Sequence, residues 1–188
     1  MLDCPTLEID AAAMRLLLLR HAKSEKAEPG MPDRERRLNA RGQSDAATMG
    51  GYIARHGLAP DLAVVSMAQR TRETWERVAA ALSMPPAPIY EERLYNAGRD
   101  AILTVTRQIG GIAHTLLVIG HNPGLHDLAR ILIASGDVEW RERLNEGLPT
   151  AGLVVIEFAG ENWRKLHAHG GRLERFVTPR SLAAADRV

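Results

Sequence analysis

The chain has 188 residues, of which 45% are apolar and 25% are charged, and its formal net charge is +1. That length suits one domain able to bury about 70% of the surface its unfolded form exposes, with the composition of an ordinary globular protein. Balanced charge and an aromatic content of only 4% argue against nucleic acid or a membrane surface as a partner.

The start of the chain differs in composition from the rest. Residues 1–13 are acidic and alanine-rich and lack the basic start and apolar stretch of a signal peptide. They are interpreted as an N-terminal extension that need not be ordered, with Met14 as an alternative start of translation and residues 14–188 as one domain. The single cysteine, Cys4, excludes an intramolecular disulfide, and no apolar run is long enough to cross a bilayer. We therefore expect a cytoplasmic protein.

The first half of the chain alternates between strand and helix patterns. In order, these are a strand over 15–20, a polar loop over 21–37, a helix over 40–56, a strand over 62–66 and a helix over 69–82. Asn39 is the expected N-cap of the first helix.

The second half continues the alternation and ends in two strands. The order is a short strand at 89–90, a helix over 99–109, a strand over 115–119, a helix over 123–134, and strands over 152–158 and 162–169. Asn122 is the expected N-cap of its helix, with Pro123 at the first helical position. The final two strands, joined by a turn, predict a hairpin.

This order of elements predicts the fold class. Strands that alternate with helices indicate an α/β protein, a three-layer α/β/α sandwich with a mostly parallel central sheet. An antiparallel hairpin at one edge is compatible with such a sheet. No repeat or linker divides the chain.

Three predicted strands end in residues suited to anion chemistry. The first is followed by Arg20-His21-Ala22-Lys23-Ser24 and another by Gly120-His121-Asn122-Pro123-Gly124, while Ser66-Met67-Ala68-Gln69-Arg70 closes a third. Ligands of open parallel sheets bind at the carboxyl ends of the strands. Two histidines and two arginines are therefore expected at one site that can hold and attack a phosphoryl group.

Each of the four side chains suits one part of that reaction. His21 is the candidate nucleophile, since neutral imidazole can form covalent intermediates. Arg20 and Arg70 can hold phosphoryl oxygens with charged guanidinium forks. His121 can donate to the same oxygens beside a helix N-terminus. A single histidine after a strand is more often structural, and it is the combination that favours catalysis.

Further contacts to substrate are predicted nearby. Ser24, Lys23 and Asn122 are candidate substrate-binding residues. The proton donor for a leaving group is usually a carboxylic acid. Three carboxyl groups are candidates, although each alone also suits a solvated surface: Glu92, Glu91 and Asp33.

These motifs resemble those of a known family. Leu18-Leu19-Arg20-His21-Ala22-Lys23-Ser24, Ser66-x-x-x-Arg70-x-x-x-Thr74 and Gly120-His121-Asn122-Pro123-Gly124 resemble the histidine phosphatase superfamily, and within it the small SixA-type phosphohistidine phosphatases. The residues from Asp33 to Gly42 and the pair Thr178-Pro179 extend the likeness to nearly the whole chain.

The resemblance implies a phosphoglycerate mutase-like fold and a two-step reaction. His21 matches the histidine that becomes phosphorylated, Arg20 and Arg70 match the phosphate-pocket arginines, and His121 matches the second pocket histidine. It implies no metal and no organic cofactor.

Departures from the family pattern bear on the substrate. Ala22 stands where the superfamily usually has glycine, Ala27 where mutase-like members have asparagine, and Arg37 where this branch often has proline. The long insertion that carries the acid in phosphoglycerate mutases is missing between Arg70 and His121. An open, shallow site is expected, which suits phosphohistidine on a partner protein and disfavours mutase activity. The alternatives are a phosphatase of a small phosphorylated metabolite and a non-catalytic module that binds a phosphorylated ligand.

Overall fold

A computed structural model of the chain describes residues 13–185, so residues 1–12 of the predicted extension lie outside the described part. Within it, seven strands form one sheet: β1 (Met14–Arg20), β2 (Leu62–Ser66), β3 (Ile89–Glu91), β4 (Thr115–Gly120), β5 (Ile133–Gly136), β6 (Leu153–Phe158) and β7 (Gly171–Val177). The helices of this part are α1 (Ala40–Arg55), α2 (Gln69–Ala79), α3 (Arg99–Ile109), α4 (Gly124–Leu132), α5 (Val138–Glu146) and α6 (Pro179–Ala185).

The strand order in the sheet is β3-β2-β4-β1-β6-β7-β5. The pairs β3/β2, β2/β4, β4/β1 and β7/β5 are parallel, whereas β6 runs antiparallel to both β1 and β7. The predicted α/β fold with a mostly parallel sheet is confirmed. The antiparallel hairpin of β6 and β7 lies one strand inside the edge, because β5 pairs with the outer side of β7.

The two faces of the sheet carry separate helices. In β1 the side chains of Leu16 and Leu18 pack into one core, with α3, α4 and α5. Leu17 and Leu19 point the opposite way into a second core, with α1 and α2. Successive side chains of a strand face opposite sides, so a continuous leucine run is what a central strand covered on both faces requires.

Strand register sets the position of the two histidines. Arg20 of β1 pairs with Gly120 of β4, and both are the last residues of their strands. The backbone N–H of His21 also donates to the carbonyl of Gly120, at 3.1 Å. His21 and His121 therefore leave neighbouring strands side by side.

Helix α1 packs closely on the loop after β1. The Asn39 side chain accepts a hydrogen bond from the N–H of Gly42, which confirms the predicted N-cap. A Cβ at Gly42 would lie 2.0 Å from the carbonyl oxygen of Lys23. Only glycine allows the first turn of α1 to lie this close to the backbone of Lys23, two residues after His21.

The C-terminal third departs most from prediction. Neither β5 nor α5 is predicted, and the strand expected over 162–169 is wrong. That stretch forms a 3-10 turn, Trp163–Lys165, and a loop, and β7 begins only at Gly171. Trp163 and Leu166 are apolar because their side chains are buried, but the segment that carries them is a turn and not a strand. No helix of the described residues is both long and apolar enough to cross a membrane.

Candidate active site

The structure brings His21, His121 and Arg70 into contact, and Arg20 directly precedes His21. Arg20 ends β1, His21 follows it, His121 follows β4, and Arg70 is the second residue of α2, which starts just after β2. The imidazole centroids of the two histidines lie 5.2 Å apart. His21, His121 and Arg70 are buried, with exposed fractions of 9%, 3% and 4%.

The ring of His21 is held in one orientation. Its Nδ1 lies 2.8 Å from the carbonyl oxygen of Ala22, which can only accept, so Nδ1 carries the proton. The N–H of Ala22 in turn donates to the Thr74 hydroxyl, at 3.0 Å. Nε2 is left with its lone pair, and the Nε–H of Arg70 points towards it at 3.3 Å.

Burial and positive charge keep His21 neutral. Burial is the main cause that lowers its pKa, to about 3, and His121, Arg70 and Arg20 lower it further, against the opposing hydrogen bond to Ala22. Near pH 7 the imidazole is therefore unprotonated at Nε2.

His121 is also neutral and bound on both sides. Its Nε2 lies 2.9 Å from the Ser66 hydroxyl, and its Nδ1 lies 3.4 Å from Nη2 of Arg70. Burial lowers its pKa to about 4, helped by Arg70 and Arg20 and opposed by Asp33. Because a guanidinium can only donate, the contact with Arg70 makes Nδ1 an acceptor, and Nε2–H donates to the Ser66 hydroxyl in this arrangement.

Arg70 connects both histidines to Asp33. Its Nη1 donates to the backbone carbonyl of Asp33 at 2.7 Å, and its Nη2 donates to the carboxylate at 3.0 Å. Asp33 also accepts from the Tyr95 hydroxyl at 2.9 Å and from Arg36 at 2.9 Å. Partial burial works to raise the pKa of Asp33, but the hydrogen bonds from Arg36 and Tyr95 and the charge of Arg70 lower it to about 2.

Arg20 shares an acceptor with Asn122. Nη1 of Arg20 and the Asn122 amide donate to the carbonyl of Leu148, at 2.9 and 2.8 Å. The Nε of Arg20 and the Oδ1 of Asn122 are buried and lack a hydrogen-bond partner within residues 13–185. Burial lowers the pKa of Arg20. The predicted N-cap role of Asn122 is wrong, since Pro123 holds that position and the amide turns to Leu148.

The other predicted residues lie further from the histidine pair. The Ser24 hydroxyl accepts from Arg36 at 3.0 Å, and the Lys23 side chain is exposed. The Glu91 carboxylate binds the guanidinium of Arg93, and the Glu92 side chain is 77% exposed. Of the three predicted acids, only Asp33 hydrogen-bonds to the cluster of His21, His121 and Arg70.

Several positioning contacts were not predicted. Tyr95 lies with its ring perpendicular to that of His121, the centroids 5.7 Å apart, and nothing in its sequence surroundings marks it. Ser66 and Thr74 stand in the recognised motif, but their hydrogen bonds to His121 and Ala22 N–H emerge only from the structure. The role of the Leu148 carbonyl as an acceptor for Arg20 and Asn122 cannot be predicted from sequence, because every residue has a backbone carbonyl.

Comparison with known proteins identifies a matching family and similar sequences. The family model of the histidine phosphatase superfamily (branch 1) matches residues 16–100. An uncharacterized protein of Mycobacterium tuberculosis is 34% identical over 164 residues, which cover 86% of this chain and 100% of that protein. An uncharacterized protein of Mycobacterium leprae is 33% identical over 168 residues, with coverages of 86% and 100%.

Solved structures show the same relationship. A structure from Agrobacterium tumefaciens, described as a phosphohistidine phosphatase SixA, is 28% identical with a TM-score of 0.75, covering 88% of this chain and 98% of that one. A second, from Nakamurella multipartitia and described likewise, is 27% identical with a TM-score of 0.71, covering 89% and 96%.

The chain belongs to the histidine phosphatase superfamily, with the phosphoglycerate mutase-like α/β fold of that group. Within the superfamily it is of the SixA type, and the activity that this membership supports is that of a phosphatase.

Proposed function

We propose that this chain hydrolyses phosphohistidine on a partner protein, without a metal ion, through a phosphohistidine intermediate at His21. The carrying observation is the state of the His21 ring: Nδ1 is committed to the Ala22 carbonyl, and Nε2 presents a lone pair among buried cations. A neutral imidazole nitrogen beside guanidinium groups is the arrangement that phosphoryl transfer to histidine requires.

In the first step Nε2 of His21 attacks phosphorus. A bond from Nε2 to phosphorus forms while the bond from phosphorus to the leaving group breaks, and the leaving group departs with that electron pair. Arg70 and Arg20 stabilise the negative charge on the transferring oxygens. The hydrogen bond between Nδ1 and Ala22 stabilises the positive charge that develops on the ring.

His121 contributes through its pairing with Ser66. When a phosphoryl group draws Arg70 away from Nδ1, the Ser66 hydroxyl can donate to Nε2, and the proton of His121 then resides on Nδ1, on the side that faces Arg70. That proton is then available to a phosphoryl oxygen held by the guanidinium.

In the second step water attacks the phosphorus bound to His21. The bond from Nε2 to phosphorus breaks, its electron pair returns to the nitrogen, and orthophosphate leaves with the oxygen of water. The Nδ1–H of His21 stays with Ala22 throughout, so the ring ends in the tautomer in which it began.

The protonation of the leaving group favours phosphohistidine. Asp33 is the acid nearest the cluster, yet its carboxylate is bound by Arg70, Arg36 and Tyr95, and its pKa is about 2. It is therefore ionised near pH 7 and is not a proton donor in this arrangement. A phosphohistidine protonated on its other ring nitrogen leaves as neutral imidazole, with no proton transfer at the breaking bond. An alkyl phosphate has no such route.

The surroundings leave room for a polypeptide. A groove of about 610 Å³ has a lining that includes Met31, Arg34 and Gln69, of which Arg34 follows Asp33 and Gln69 precedes Arg70 in the chain. The names of the two SixA structures are consistent with this substrate class. A small phosphorylated metabolite is the second candidate, favoured by a separate cavity of about 570 Å³ beside Arg20.

A single-turnover quench experiment tests the proposal. The enzyme is mixed with a ³²P-phosphohistidine protein or with phenyl phosphate, and the chain is examined for acid-labile, alkali-stable label. Faster labelling from the phosphoprotein, absent in His21→Ala, is the expected result. Label from phenyl phosphate only would support phosphatase activity but would indicate a small-molecule substrate instead of a protein. Binding without label or turnover would identify a non-catalytic module.

A further inference from the structure

A separate cavity is lined by Arg20 and Asn122, the chain neighbours of His21 and His121. It has a volume of about 570 Å³, and its lining includes four arginines: Arg20, Arg41, Arg143 and Arg180. We call these four residues and the space between them the arginine pocket. That volume falls in the range of small-ligand sites.

The four arginines come from four different elements. Arg20 ends β1, Arg41 lies in the first turn of α1, Arg143 is on α5 and Arg180 is on α6. Arginines spread along one helix face would be an ordinary solvated surface. Convergence from four elements on one cavity brings like charges together at an electrostatic cost, which an anion in the cavity would offset.

The acidic residues of the pocket do not balance this charge. Asp45 forms an ion pair with Arg41 on α1, with Oδ2 of Asp45 3.4 Å from Nε of Arg41. Glu146 is the other acid in the lining. Among residues 13–185, neither Arg143 nor Arg180 forms an ion pair; Arg143 lies over the Phe176 ring instead, 5.8 Å from its centroid. Two arginines are therefore available to an incoming ligand.

Arg20 connects the pocket to the histidine pair. It is the last residue of β1, directly before His21, and it also lines the cavity. Its Nε and the Oδ1 of Asn122, a second lining residue, are buried without hydrogen-bond partners in the described chain. Buried polar atoms of this kind are normally satisfied, which indicates a site built for a polar ligand.

From these observations we infer that the arginine pocket is a second anion subsite, which receives a carboxylate or a further phosphate of the substrate while its phosphoryl group lies between His21 and Arg70. This inference rests on the proposed function and narrows it to substrates that carry a second anionic group. Such a group belongs either to a small phosphorylated metabolite or to an acidic side chain near the phosphohistidine of a partner protein.

Paired probes test the subsite. The first pair is 3-carboxyphenyl phosphate and its methyl ester, which has almost the same shape but lacks the second charge. The second pair is a phosphohistidine peptide with glutamate near the phosphorylated residue and the same peptide with glutamine. The quantity compared is the ratio of kcat/KM within each pair, so general effects on turnover cancel.

Wild-type enzyme is expected to prefer the anionic member of at least one pair by roughly tenfold, the scale of one charge-assisted hydrogen bond. Arg143→Gln and Arg180→Gln are each expected to bring that ratio close to one. Arg55→Gln is the matched control, because Arg55 is exposed at the far end of α1 and bonds to the carbonyl of Gly51. A response in the aryl pair assigns the group to a small molecule, and a response in the peptide pair assigns it to a protein.

A wild-type ratio near one in both pairs, or a ratio unchanged by both arginine variants, would overturn the subsite while leaving the phosphatase intact. If the enzyme turned over neither pair, the proposed function would fail instead. Calorimetric binding of the two aryl probes to His21→Asn then decides the subsite separately: a preference for the carboxylate that is lost with Arg143→Gln supports it, and equal binding rejects it.

Discussion

The Nε–H of Arg70 points at Nε2 of His21 across 3.3 Å, so a charged donor faces the lone pair that we propose as the nucleophile. This contact is weak for a hydrogen bond, and the shorter contacts of Arg70, 2.7 and 3.0 Å, are to Asp33. A phosphoryl group entering between the two residues offers Arg70 charged oxygens in place of an imidazole nitrogen. In the proposed mechanism the same guanidinium covers the nucleophile at rest and stabilises charge during transfer.

Replacing His21 with alanine is expected to lower turnover by at least roughly 10³-fold, since no other group in the site can take its place as nucleophile. Steady-state hydrolysis and ³²P labelling of the chain measure this, and near-ultraviolet circular dichroism checks the fold. His114→Ala, at an exposed histidine before β4, serves as the control. Labelled His21→Ala protein would contradict the mechanism.

Arg70→Ala is expected to lower kcat by about 10²–10³, the effect of losing one preorganised group that stabilises charge. Arg70→Lys is expected to recover only part of this, because an ammonium cannot contact His21, His121 and Asp33 at once. Arg77→Ala is the matched control on the same helix, where the guanidinium contacts Gln43 at an exposed position. A loss below about threefold for Arg70→Ala would exclude Arg70 from the proposed role.

Asp33→Asn tests whether this residue restrains Arg70 or donates a proton. Removing its charge leaves Arg70 more available to anions, so orthophosphate is expected to inhibit the variant more strongly, with Ki lower by roughly three- to tenfold given the exposure of the carboxylate. Tyr95→Phe, which removes the hydroxyl bonded to Asp33, is expected to shift Ki in the same direction by less.

A proton donor would behave differently. If Asp33 protonated the leaving group, Asp33→Asn would slow poor leaving groups far more than good ones. Rates for a series of aryl phosphates separate the two roles: a uniform change supports a residue that positions Arg70, and a steeper dependence on the leaving group supports an acid.

The stability of the protein is expected to depend on pH through the two site histidines. Their pKa values in the fold are about 3 and about 4, below the ordinary value of 6.5 that applies to the unfolded chain. Between these pKa values the unfolded chain binds more protons than the folded protein. The contribution of the two histidines to the free energy of unfolding is therefore greatest above pH 6.5 and falls as the pH decreases towards 4. Each histidine contributes a slope of about 1.4 kcal/mol per pH unit there.

Denaturant unfolding of wild type and of the double variant His21→Asn/His121→Asn between pH 4.5 and 6.5 measures this slope. Asp33 has little influence in this range, because its pKa is 3.8 in the unfolded chain and about 2 in the fold, so its contribution to stability changes mainly below pH 4. Equal slopes for the two proteins would mean that the buried histidines titrate normally.

Two glycines of α1 give a matched test of how this helix supports the site. A Cβ at Gly42 would lie 2.0 Å from the Lys23 carbonyl, whereas one at Gly51 would contact nothing within 4 Å. Gly42→Ala is expected to cost roughly 1–3 kcal/mol and to lower kcat, because the backbone after His21 must move. Gly51→Ala is expected to stabilise the protein by about 0.5–1 kcal/mol without a change in rate. Thermal unfolding and kcat of the two variants check both expectations.

Much of the sheet was predictable because its strands are continuous apolar runs. The strand Leu62–Ser66 and the helix Arg99–Ile109 have the predicted bounds. In contrast, β5 has two exposed residues among four, and α5 buries only Leu144, so neither has the periodicity that a sequence pattern needs.

The site was predictable where the chemistry resides in side chains at strand ends. His21, Arg20, Arg70 and His121 follow apolar runs that must be neighbours in a parallel sheet. Tyr95 is 62 residues from its partner Asp33, and their contact depends on how two surface segments fold over the sheet. No local pattern records such a contact.

The segments that carry the site residues differ in how readily they unfold locally, and hydrogen exchange would measure this difference. Arg20 and His21 continue β1, in which the side chains from Leu16 to Leu19 are fully buried, so amides there exchange only when the whole domain opens. The turn Asp33–Glu35 has no buried residue and can open by itself. We therefore expect the backbone amide of the nucleophile to exchange among the slowest in the protein, and the amides of the turn whose carboxylate holds Arg70 to exchange much faster.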